Sequence, residues 1–196
     1  MKHERRLEII EVWKTIVDVQ KHFNDIEMRI RSLFVTMILA VSAAQGFLME
    51  KELSLELGEI KILYATFMPI LGIIAGLLFY FMDRYWYHRL LLGAVNHGRK
   101  IEVEYQKDMP ELSLSEAIKI ESPIKLNRSI TKAIANRIVT DQNYIDKGEL
   151  HSVGKIEFFY KPIIWLFVLT FIATFFFGGV LIHDKTLSSV LWNCIF

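Results

Sequence analysis

Three long stretches of this chain carry no charged residue: Ser32 to Met49, Ile62 to Met82 and Pro162 to Ile182. A helix needs about 20 apolar residues to cross the hydrocarbon core of a bilayer. Core helices of soluble proteins normally keep a polar face, and the second and third stretches have almost none. The pattern predicts an all-α integral membrane protein with three transmembrane helices and a helical cytoplasmic domain. The expected organisation is a cytoplasmic amphipathic helix over 1–31, a first span over 32–49 and a short external loop over 50–61. A second span over 62–82, a helical cytoplasmic domain over 83–161, a third span over 162–182 and an external tail over 183–196 complete it.

The polar segments also show helical spacing. Leu7, Ile10, Val12, Trp13, Ile16, Val17, Phe23, Ile26 and Ile30 recur at intervals of three and four. Glu4, Glu8, Glu11, Lys14, Asp18 and Lys21 line the other side. This helix is expected to run straight into the first span and to pack on another cytoplasmic helix. The second span has no stop signal at Met82, so one long helix should continue, bent near Gly93 or Gly98 and ended by Pro110. Ser113 and Glu116 have capping-box spacing before a short helix. Ser122-Pro123 reads as a second helix start, followed by a stripe at Ile124, Ile130, Ala133, Ile134 and Ile138. Gly148 and Gly154 punctuate a loop before the third span. No sheet is expected.

Charge sets the expected orientation. Lys and Arg accumulate on the cytoplasmic side. Arg29 and Arg31 stand at the mouth of the first span, whereas the link to the second holds Lys51 and Lys61 among four glutamates. Arg84, Arg89, Lys155 and Lys161 flank the segment between spans two and three. The N-terminus is therefore expected in the cytoplasm and the C-terminus outside. Tyr80, Tyr85, Trp86, Tyr87, Tyr160 and Trp165 suit the headgroup level. The first apolar run lacks a small-residue cleavage site and is read as a retained span. A net charge of +1 gives no support for bulk attraction to nucleic acid. One cysteine, Cys194, excludes an internal disulfide and a cysteine metal cluster.

No catalytic, cofactor or metal site emerges, and the chain is read as a non-enzyme. The six histidines include no pair at strong metal-ligand spacing. The spans hold no ionisable residue, unlike most proton relays and coupled transporters. Thr36, Ala40, Ser42 and Gln45 give span one a small, polar character, and Gly72 and Gly76 form a GxxxG pair in span two. These six are the candidate pore-lining or subunit-interface positions, with packing inside one subunit as the alternative. Asp25, Glu27, Arg29 and Arg31 are the candidate juxtamembrane charge network. Asp25 with Arg29 and Glu27 with Arg31 are four apart, so each pair can bridge along one helix or between subunits.

The stretch from Val12 to Phe47, above all FNDIEMRIR at Phe23 to Arg31, resembles the N-terminus of small multi-pass membrane proteins of bacterial defence systems. These are the accessory membrane proteins of type VI RNA-targeting CRISPR systems and the membrane component of RADAR phage defence. The resemblance implies a bacterial inner-membrane protein that forms homo-oligomers. It would act as an effector or channel-like accessory beside a cytoplasmic nucleic-acid-targeting enzyme, without binding nucleic acid itself. A non-conducting anchor recruiting that enzyme is the alternative. A membrane-tethered HEPN-like ribonuclease is a third, although Arg84 with His88 and Arg89 with His97 miss the motif's spacing.

Overall fold

The computed structural model describes residues 3–126, 129–140, 145–146, 149–182 and 185–186. Six α-helices lie among them: α1 (His3–Glu50), α2 (Met68–Phe81), α3 (His88–Tyr105), α4 (Leu114–Glu121), α5 (Ser129–Ile138) and α6 (Ser152–Thr174). Three helical stretches are long and apolar enough to cross a membrane: His3–Glu50, Tyr64–Tyr105 and Ser152–Phe177. The first is unbroken, as its periodicity predicts. In the second, a 3-10 turn (Tyr64–Phe67) precedes α2, and a π turn (Met82–Tyr87) joins α2 to α3. The irregularity thus falls at Met82–Tyr87 and not at Gly93 or Gly98, and α3 ends at Tyr105, before Pro110. In the third, α6 begins ten residues ahead of Pro162, so Gly154 is helical and Pro162 is internal. There proline removes one main-chain donor.

Contacts divide the chain into two units. One comprises Met1–Arg31 and Tyr80–Phe159; the other comprises Ser32–Phe79 and Tyr160–Phe196.

In the first unit, Ile9, Met109 and Leu112 form a buried cluster against Ile10, Trp13, Ile101 and Tyr105. The buried side of α1 includes Ile9, Ile16, Glu27 and Ile30, while Leu7 and Val12 are exposed. Gly98 marks a close approach: an added Cβ would lie 2.8 Å from Gln20 Nε2. That amide donates to the Ala94 carbonyl at 3.3 Å. Ser113 makes no side-chain cap on α4. Instead the buried Glu102 carboxylate accepts the Ser115 amide at 3.0 Å and Trp13 Nε1 at 3.1 Å. A carboxylate satisfies orphan amides at a helix N-terminus and complements its dipole. No helix starts at Pro123. Strand β3 (Ile124–Lys125) pairs with β5 (Glu149–Leu150), which pairs with β4 (Ile145–Asp146). Helix α5 buries Ala135, just before the buried Val139, and exposes Ile130 and Ile134.

In the second unit, β1 (Ser54–Leu57) and β2 (Ile60–Leu63) form an antiparallel hairpin where a loop is expected. Leu55, Leu57, Ile60 and Ile62 alternate with polar residues. Gly58, at φ +64°, turns the chain between the strands. β2 also pairs with β6 (Val180–Ile182), and β6 with β7 (Lys185–Thr186), giving the order β1-β2-β6-β7. Ile62 and Leu63, expected to open span two, are therefore extended. The expected final apolar tail, with Cys194, lies outside the described residues. Phe34 is fully buried, its ring 4.8 Å from that of Tyr160 and 5.6 Å from that of Phe79.

Candidate functional site

Helical spacing puts Glu27 and Arg31 on one face of α1, and Arg31 Nη2 donates to Glu27 Oε2 at 3.0 Å. The π turn supplies Asp83, the first charged residue after the second apolar run. Arg31 grips it at two points, Nε to Oδ2 at 2.7 Å and Nη2 to Oδ1 at 3.1 Å. His88, at the start of α3, completes the chain: its Nδ1 lies 3.1 Å from Glu27 Oε1. Asp83, Glu27 and His88 are 0%, 3% and 4% exposed. Buried carboxylates need paired, hydrogen-bonded surroundings to stay charged, and one guanidinium serves both here. Its fixed fork matches carboxylate geometry.

The Glu27 carboxylate accepts, so Nδ1 of His88 carries a proton and donates. That fixes the role of the other nitrogen. Nε2 holds a lone pair when the ring is neutral and a second N–H when it is protonated. Nε2 is buried and has no hydrogen-bond partner among the described residues.

His88 also lines a cavity of about 550 Å3, together with Glu27, Arg31, Leu91, Lys119 and Lys155. Ser115, Ser122, Ile118, Ile156 and Phe159 contribute further wall. Lys155 Nζ donates to the Ser122 carbonyl. No cluster of three potential metal ligands occurs among the described residues.

No protein-family model, curated protein or solved structure matches this chain.

The structure distributes the sequence candidates unevenly. Glu27 and Arg31 join the buried chain, whereas Asp25 and Arg29 are exposed and no ion pair joins them among the described residues. In span one, Thr36, Ala40 and Ser42 are uncovered by protein, and Gln45 lies on the buried side with Phe34 and Val41. Thr36 and Ser42 donate their hydroxyls to carbonyls of their own helix, at Ser32 and Ile38. Gly72 and Gly76 are buried inside the second unit. An added Cβ would come within 2.5 Å of the Phe167 ring at Gly72 and 2.6 Å of Ile164 Cγ1 at Gly76.

Sequence reasoning missed Asp83, took Lys155 only as an orientation signal and left His88 an ordinary histidine. A signal existed for Asp83: the acid ends a charge-free run, so its charge sits against apolar residues and requires a partner. Nothing local names Arg31, 52 residues away.

Proposed function

We propose that this chain is a multi-pass inner-membrane protein, N-terminus in the cytoplasm. Its subunits associate through span one to form an effector or channel-like accessory of bacterial anti-phage defence, beside a cytoplasmic nucleic-acid-targeting enzyme. The observation that carries the association is the contrast between the two small-residue faces. Gly72 and Gly76 are filled by Phe167 and Ile164 of the same chain. Thr36 and Ala40 remain uncovered. Small residues let membrane helices approach closely, and this face is free to do so with a second copy. The defence setting is supported only by the resemblance of Val12–Phe47.

The non-conducting anchor has its own support. The Thr36 and Ser42 hydroxyls are satisfied within α1, so neither requires water. Two measurements separate the readings. In a Cys194→Ser background, Thr36→Cys should give disulfide-linked dimers in membranes, and Leu78→Cys should not; the reverse result sinks the span-one interface. Ion flux from proteoliposomes, altered by Ser42→Leu, marks a channel. Tight liposomes with intact partner recruitment mark an anchor. The ribonuclease alternative predicts RNA cleavage lost in His88→Ala or His97→Ala, and intact RNA beside wild-type protein removes it. Orientation is tested by labelling Gly58→Cys from outside sealed cells.

A further inference from the structure

We propose that the cavity beside His88 binds a phosphate ester carried on a compact apolar body. Three cations line it, Arg31, Lys119 and Lys155, against one carboxylate, Glu27. Arg31 is matched by Asp83 and Glu27, and Glu27 also holds His88, which leaves Lys119 and Lys155 as the cations the wall can offer a ligand. Among the described residues Lys119 reaches one distant acid, Glu116 at 3.9 Å, and its side chain is 61% exposed. Lys155 holds the Ser122 carbonyl and no acid among the described residues. An ammonium is a compact point charge suited to phosphate. Leu91, Ile118, Ile156 and Phe159 supply the apolar walls. A volume of about 550 Å3 falls in the range of small-molecule sites, roughly 300–1,000 Å3.

The buried charges give the second, independent indication. From Asp83 through Arg31 to Glu27 the groups alternate in sign, and the sequence of partners ends on His88. Nε2 of that ring is buried without a partner among the described residues, and such an atom normally has one. A protonated ring, its Nδ1–H held by Glu27, has a second N–H to offer an anionic oxygen.

A phosphate ester with a face that can lie on apolar walls occurs both in anionic lipids, through the acyl chains, and in soluble nucleotides, through the base. The lining favours the lipid. Arg31 directly precedes one charge-free run, and Phe159 closely precedes another.

The test uses the full chain in neutral detergent. The probes are dihexanoyl phosphatidylglycerol, dihexanoyl phosphatidylcholine, adenosine monophosphate and inorganic phosphate, with melting temperature and saturable binding as readouts. The phosphatidylglycerol probe should raise the melting temperature saturably. Lys119→Gln and Lys155→Gln should each weaken it about tenfold, the scale of one charged hydrogen bond. Lys14→Gln should leave it unchanged. Lys119 is exposed, so its variant keeps the fold even if Lys155→Gln does not. Saturable binding of adenosine monophosphate alone, with the same lysine dependence, assigns the site to a soluble ester and upholds the proposal. It is overturned if no organic phosphate binds, if phosphatidylcholine binds equally well, if inorganic phosphate binds as tightly as its esters, or if Lys119→Gln changes nothing. None of these outcomes depends on subunit association.

Discussion

The two units bury polar groups by different rules. In the unit of Met1–Arg31 and Tyr80–Phe159, buried acids are bonded: Asp83 and Glu27 to Arg31, Glu102 to Trp13 and Ser115, Glu157 to the Thr140 amide at 2.8 Å. In the unit of Ser32–Phe79 and Tyr160–Phe196, shape predominates. Glycines admit Phe167 and Ile164, Phe34 packs between aromatic rings, and hydroxyls fold back on their own helices. Charge pairing is specific but costly to break. Small-residue packing is cheaper to perturb and leaves uncovered surface for a second copy. The contrast sets a unit held by charge pairing beside one held by close packing.

Breaking the charge chain should have the largest effect. Asp83→Ala removes the carboxylate that Arg31 grips at two points and should destabilise the first unit by about 3–5 kcal/mol, read as a lowered melting temperature in detergent. A loss below 1 kcal/mol would mean that Asp83 is not buried as described. Overpacking the second unit comes next. Gly72→Ala places a methyl against a stiff ring and should cost about 1–3 kcal/mol; the same assay on Gly46→Ala, where an added Cβ meets nothing within 4 Å, should show no loss. Glu102→Ala removes both the cap on α4 and the Trp13 partner, at about 1–3 kcal/mol, with altered fluorescence from Trp13. The smallest effect should come from Thr66→Val. The Thr66 hydroxyl is buried without a partner among the described residues, so removing it should stabilise by about 1 kcal/mol or leave the melting temperature unchanged. A clear loss would reveal a hidden acceptor, and with it a polar rule in the second unit too.

How much was legible can be judged residue by residue. The unbroken α1 follows from its apolar spacing, because a helix is specified by neighbours three and four apart. The hairpin was legible in principle: Leu55, Leu57, Ile60 and Ile62 alternate around Gly58. Its shortness and its charges made it read as a loop. Ser113 stands at the N-cap of α4 as expected but makes no side-chain bond there, and the Ser122-Pro123 start failed because a cap signal is weak. Glu102, distant in sequence, supplied the first cap, and a strand pairing with Glu149–Leu150 replaced the second helix start. Of the charge network, Glu27–Arg31 was legible as a local pair, whereas Asp83 and His88 join it only through tertiary contact.

By itself the sequence determined three bilayer-length helices, since hydrophobic length and the absence of charge are properties of the chain before it folds. Only the tertiary structure decided which polar groups are satisfied. It gave Arg31 two acids, left Nε2 of His88 without a partner among the described residues, filled the Gly72 and Gly76 face, and left that of Thr36 and Ala40 open. Such outcomes depend on distances between residues far apart along the chain, and no local spacing encodes them.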